Sequence, residues 1–116
     1  MLNLSDFILN CLEIKVWGAP KFMEFYGVLS KSSDLYKEID NALNLLKEDP
    51  GRGDRIQRDR WPKCYVQAFN VQTLFRFELR EGRRLIYTVY TKNEIRYCNV
   101  LEIFPNHKEY DKRFGY

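Results

Sequence analysis

Histidine occurs once in this chain, at His107, and cysteine three times, at Cys11, Cys64 and Cys98. A lone imidazole leaves no paired His/Cys spacing for a metal, and no G-x-S-x-G elbow supports a Ser-His-Asp hydrolase. No metal site and no cofactor are expected. The cysteines are odd in number and widely spaced, which argues against a disulfide framework and against zinc. They fit three buried structural thiols in a reducing cytoplasm. No apolar run reaches the roughly 18 residues of a membrane span, so no membrane contact is expected. The N-terminus carries early charges at Asp6, Glu13 and Lys15. It lacks the basic start and small-residue cleavage site of a secretory signal. Internal repeats and low-complexity segments are also missing.

Arginine is absent from residues 1–50, which hold five lysines against eight acids for a balance of −3. All ten arginines follow Pro50, where with four lysines against eight acids they give +6, for a net charge of +3. Guanidinium groups suit bidentate phosphate contacts, so the C-terminal half is the half fitted to a polyanion. The competing reading is a solvated sheet surface laced with ion pairs. A length of 116 residues fits one domain, 1–116, with a core of its own.

Leu2–Asn10 fits a short strand or one helical turn. Leu12–Trp17 alternates, with Leu12, Ile14 and Val16 on one face, and predicts a first strand. Gly18-Ala-Pro20 breaks it and opens a helix, because proline is tolerated in a first turn. Phe22, Phe25, Tyr26 and Leu29 then share one helical face. Ser30-Lys-Ser-Ser33 offers an N-cap to a second helix. Its stripe is Leu35, Ile39, Ala42, Leu43 and Leu46, with Lys37, Glu38, Lys47 and Glu48 facing water, and Asp49-Pro50-Gly51 stops it. Cys64–Phe69 reads as a further short strand. From Leu74 the period becomes two: Phe75, Phe77 and Leu79 alternate with Arg76, Glu78 and Arg80. Turns at Glu81-Gly82 and Asn93 divide strands near 74–80, 84–91 and 94–103. The fold class is therefore α+β: an N-terminal strand and a helical hairpin packed on an antiparallel sheet that ends in a three-stranded meander.

Between hairpin and meander, Arg52, Arg55, Arg58, Arg60 and Lys63 crowd a glycine- and proline-punctuated loop with Trp61 among them. No lysine followed by Ser or Thr comes after the glycines, which excludes a nucleotide P-loop. A basic loop with an aromatic suits a phosphate backbone and a stacked base. One reaction that needs neither metal nor covalent nucleophile is RNA cleavage by its own 2′-OH. It requires a base near that hydroxyl, cations over the non-bridging oxygens and an acid at the leaving 5′ oxygen. Arg76, Arg84, His107 and Tyr110 are residue types for those roles.

Gly82-Arg-Arg-Leu-Ile-Tyr87 resembles the Gly-x-Arg-Leu-(Ile/Val)-Tyr hairpin of the RelE/ParE superfamily of toxin–antitoxin toxins. His107-Lys-Glu-Tyr-Asp-Lys112 is similar to the tail of its RelE- and HigB-like members. The resemblance covers most of the chain and is closest from Leu74 onward. It implies a cytoplasmic mRNA interferase, a ribosome-dependent endoribonuclease that cleaves mRNA in the A site and is held inactive by a cognate antitoxin. The toxin would be a monomer within a hetero-oligomeric complex, touching mRNA and rRNA. Arg84 matches the arginine that clamps the scissile phosphate, and Arg76 a basic residue of the preceding strand. His107 and Tyr110 match acid/base and orienting positions of the tail. Glu78 stands where RelE has a second lysine and offers a carboxylate base, while His107 replaces a tail arginine. Arg52, Arg55, Arg58, Arg60, Lys63, Arg83 and Lys108 complete the expected RNA-binding surface.

Other uses of the same residues stay open. Arg84 fits an ion pair with Glu78 or Glu102, His107 a helix N-terminal position, and Tyr110, Phe114 and Tyr116 a plug at the end of the sheet. In function, a ParE-like inhibitor of DNA gyrase and a non-catalytic RNA-binding relic of the same fold are the alternatives.

Overall fold

A computed structural model describes residues 12–69 and 71–115. Leu2–Asn10, Cys11 and Tyr116 lie outside them. The two predicted helices end at Glu48, just before Pro50, but a further short helix intervenes before the meander begins at Phe75. Strand β1 (Glu13–Gly18) is followed by helices α1 (Pro20–Val28) and α2 (Asp34–Glu48). After them come the two-residue strand β2 (Asp54–Arg55), helix α3 (Lys63–Ala68) and strands β3 (Phe75–Glu78), β4 (Arg84–Lys92) and β5 (Ile95–Phe104). Helix α4 (His107–Phe114) completes the described chain.

The strands form one open sheet in the order β1-β5-β4-β3-β2. It is mostly antiparallel, with the exception of β1, which lies parallel to β5 from Glu13 opposite Ile95 to Gly18 opposite Val100. Both hairpin turns use left-handed backbone. Glu81 and Gly82 have φ of 57° and 74°, and Asn93 and Glu94 have 51° and 65°. The second pair suits a two-residue connection whose twist matches the strands.

Both faces of the sheet are covered. Leu85, Tyr87, Cys98 and Val100 point to the side where Phe22 of α1 and Ile39, Ala42 and Leu46 of α2 pack. Leu74, Ile86 and Leu101 point to the other, under Tyr65 of α3 and Tyr110 and Phe114 of α4. β4 pays into both cores, so its alternation is apolar on apolar after Arg84. A bulge between Ile86 and Tyr87 sets Ile86 opposite Glu102 but Tyr87 opposite Val100. The extra residue, Leu101, can then join the same core that Glu102 borders.

Several expectations change. Residues 64–69 are helix, not strand: Tyr65 and Phe69, four apart, meet one core, and Tyr65 is turned in to hydrogen-bond Glu102. Helices cover two faces where one layer was expected. Phe25 is not in the core stripe of α1 but 37% exposed, because Phe22 and Tyr26 take the face that meets the sheet. Glu38 does not face water. It accepts from the Arg80 backbone N–H at 2.8 Å and from Arg83 at 3.2 Å, tying α2 to the β3–β4 turn. Of the thiols, Cys98 is buried and Cys64 is exposed. The expected plug is present in Tyr110 and Phe114, stacked at 4.5 Å between ring centroids. Among the described residues no helix is long and apolar enough to cross a membrane.

Burial pushes the Cys98 thiol up to about 12, with Arg96 pulling weakly the other way. A thiol-selective reagent at neutral pH should therefore label Cys64 in the native protein and Cys98 only after denaturation, as peptide mapping would show. Equal native labelling of both would contradict this packing.

Candidate nucleic-acid site

The β3–β4 hairpin assembles the site by register. Glu78 pairs with Arg84, Arg76 with Ile86, and Asp54 of β2 with Arg76. The period of two places Asp54, Arg76, Glu78 and Arg84 on one face, the face that α4 covers. Asn106 caps α4 by accepting the Glu109 backbone N–H at 2.9 Å, and the helix brings Tyr110 onto the arginines. Arg84 stacks over the Tyr110 ring at 4.4 Å and Arg76 lies 5.8 Å from it. Such a contact contributes roughly 0.5–2 kcal/mol, more as it is desolvated.

The hydrogen-bond inventory of the two arginines differs. Arg76 donates to the Tyr110 hydroxyl at 3.4 Å and to Asp54 at 3.5 Å, while its Nε–H is buried and makes no hydrogen bond among the described residues. Glu78 is the nearest acceptor to that group, at 3.7 Å. Burial pulls the Arg76 pKa down, but Tyr110, Glu78 and Asp54 outweigh it and the net shift is upward, so the guanidinium stays charged. Arg84 has a side chain only 12% exposed, yet its sole ionic contact among the described residues is to Glu78 at 4.0 Å. The cross-strand pair with Glu78 therefore exists but is long, and Glu102 is engaged elsewhere. Two neighbouring guanidiniums, with side chains 12% and 28% exposed, are groups chemically suited to a phosphate.

His107 opens α4 beside the hairpin turn. A Cβ built on Gly82 would lie 2.6 Å from His107 Cδ2, so only glycine allows this approach of ring to backbone. His107 itself is exposed, as is Lys108 next to it. Arg76, Glu78, Arg84 and Tyr110 are thus brought together, with His107 at the start of α4 against the adjoining turn. Tyr110 is 1% exposed and serves as a platform under the guanidinium groups.

The remaining basic residues are dispersed. Alternation sends Arg83 to the face opposite Arg84, where it bonds Glu38 and Glu81 at 3.2 and 2.9 Å. Arg55 likewise lies on the opposite face from Asp54. Arg58 stacks over Trp61 at 5.2 Å, and with Lys63 and Val66 they line a separate hollow of about 420 Å³. Trp61 is fixed by its indole N–H donating to the Ile56 carbonyl at 2.9 Å and is half-buried. Arg52 and Arg60 are exposed in short turns of the same loop. Residues that sequence reasoning missed are Asp54, which completes the Arg76 pair, and Arg113, which binds Glu102 at 3.0 Å away from the cluster. Strand pairing of Asp54 with Arg76 has no local signal, since it joins residues far apart in sequence.

No family model, curated protein or solved structure matches this chain. Its chemistry is read from its own residues. Among the described residues no group of three or more His, Cys, Asp or Glu is placed to hold a metal ion.

Gly82→Ala should displace His107 and strain a backbone at φ 74°, with a loss on the order of 1–3 kcal/mol in chemical denaturation. A neutral result would mean that the ring is not seated on the turn.

Proposed function

We propose that this protein is a metal-independent, ribosome-dependent endoribonuclease of the RelE type, the cytoplasmic toxin of a toxin–antitoxin pair, acting by 2′-OH attack on the neighbouring phosphodiester. The observation that carries this is the pairing of Arg84 with Arg76 on Tyr110. Among the described residues, Arg84, with a side chain 12% exposed, makes no side-chain hydrogen bond, and the buried Nε–H of Arg76 has no acceptor. Such donors gain most when a bridging anion supplies acceptors, and a phosphate acquiring charge in the transition state is the strongest of these.

In this scheme the scissile phosphate binds between Arg84 and Arg76. Glu78, set 4.0 and 3.7 Å from the two guanidiniums, takes the 2′-OH proton. The 2′ oxygen bonds to phosphorus, the bond to the 5′ oxygen breaks, and His107 on the adjacent turn protonates the leaving oxygen. The products are a 2′,3′-cyclic phosphate and a 5′-OH. Tyr110 positions the cations. Arg58, Lys63 and Lys108 contribute contacts to the nucleic-acid backbone. The cognate antitoxin, in this proposal, covers part of the arginine face and competes with RNA.

A second reading, the non-catalytic RNA-binding relic, draws on one observation. The acids Asp54 and Glu78 already sit against Arg76, and a purely structural ion-pair cluster has the same composition.

Single-turnover cleavage of ribosome-bound mRNA tests the proposal. Arg84→Ala should lose about 10²- to 10³-fold. Glu78→Gln and His107→Ala should each lose on the order of 10²- to 10⁴-fold. His107 is exposed, so His107→Ala should shift stability by no more than about 1 kcal/mol. Retention of full activity by Arg84→Ala would remove the site. Binding of RNA by the unaltered protein without cleavage would favour the relic.

A further inference from the structure

A groove between α1 and α4, over the end of β5, takes no part in the arginine cluster. It encloses about 860 Å³. Its apolar lining includes Phe22, Phe25 and Phe104, and its rim carries Lys21, Lys63 and Lys112. Glu102 at its base is already satisfied: it accepts from the Tyr65 hydroxyl at 2.6 Å, from Arg113 at 3.0 Å and from Lys21 at 3.4 Å. Burial, then the bond to Glu102, raises the Tyr65 pKa, so the phenol stays a donor. Glu109 is the other carboxylate on the lining, and the rim keeps an excess of positive charge.

The apolar part of this surface continues beyond the groove. Lys21, Phe25 and Val28 follow one another at i, i+4 and i+7 on α1, a single helical face. Phe25 is 37% and Val28 81% exposed, so a nine-residue helix presents an uncovered apolar stripe that leads into the lysine-rimmed hollow. On α4 the helical period sets His107 and Asp111 on one flank and Glu109 and Arg113 on the other, with Tyr110 and Phe114 buried between. The groove and the arginine site therefore lie on opposite flanks of α4.

We propose that this groove seats an acidic amphipathic helix of a partner protein, its apolar side chains on Phe25 and Val28 and its carboxylates on Lys21, Lys63 and Lys112. Two helices form the walls and the stripe repeats with helical spacing, the geometry of a helix laid in a groove. Nucleic acid fits less well. The stripe ends in an aliphatic side chain that stacks no base, and Glu102 and Glu109 lie where a phosphate backbone would run. The groove is independent of the arginine cluster: Lys63 alone borders both this groove and the backbone contacts of the nuclease proposal, and Phe25, Val28, Lys21 and Lys112 belong only to the groove and its stripe.

The test is an amide chemical-shift titration of the full chain with a designed peptide of about 18 residues, leucine at helical spacing and glutamate and alanine elsewhere. An oligouridylate is titrated in parallel. The peptide should bind saturably and shift Phe25, Val28, Lys112 and Arg113. Phe25→Glu and Lys112→Glu should each weaken it by at least about tenfold without altering oligouridylate binding. Lys112 is exposed, so its variant stays informative if Phe25→Glu folds poorly. Absence of saturable peptide binding, shifts confined to other surfaces, or displacement of the same amides by oligouridylate would each overturn the proposal. None of these outcomes depends on whether the protein cleaves RNA.

Discussion

The pairing of β4 with β5 is the contact on which the rest of the molecule is hung. It is the longest ladder in the sheet, and each of its faces is covered by a separate helical layer. Tyr87 shows how far its influence extends. Its hydroxyl accepts the Gly53 N–H and donates to the Pro50 carbonyl, both at 2.9 Å, so a central strand holds the start of the basic loop. Burial raises the Tyr87 pKa despite the Gly53 bond, and the phenol remains the donor that the Pro50 carbonyl requires. The Leu101 bulge then redirects β5 so that Glu102 can join α1, α3 and α4. Loss of Arg113, the nearer of its two cations, would leave this enclosed carboxylate only the exposed Lys21 as counter-charge, a larger loss than the pair itself contributes.

Charge follows the same two-sided plan. Adjacent arginines at the start of β4 take opposite faces: Arg83 fastens the hairpin to α2 through Glu38, and Arg84 stacks on Tyr110 of α4. One is satisfied by a carboxylate on each side, and the other keeps its donors available. A cluster of positive charge is thus not one surface but two, with different chemistry. The proposed nuclease site occupies the second.

Much of the fold was legible because it rests on period. The meander and the helical pair follow from alternation at two and 3.6 residues, and the turn at Asn93 from its tolerance of left-handed backbone. What failed was governed by contacts distant in sequence. Cys64–Phe69 is rich enough in aromatics to suit a strand, and only the docking of Tyr65 on Glu102 decides for helix. Exposure of Phe25 depends on how a short helix is rotated against the sheet. At the candidate site, Arg76, Glu78 and Arg84 were singled out by residue type and by the resemblance of the hairpin, and strand register is what makes them neighbours. Tyr110 was foreseen both at the site and as a plug of the sheet end, but the stacking of Arg84 on its ring was not. The wider basic set is divided between faces and loops, because composition cannot tell which face an arginine takes.

The central claim is that Arg84 and Arg76 together receive a phosphodiester. Its most direct test is observation of the arginine side-chain Nε–Hε resonances during titration with an RNA oligonucleotide made uncleavable by a 2′-deoxy substitution. On this account the Arg76 and Arg84 signals shift and saturate together, the buried Nε–H of Arg76 gaining an acceptor, while Arg83 does not move. Saturable RNA binding that leaves both resonances unchanged would contradict it.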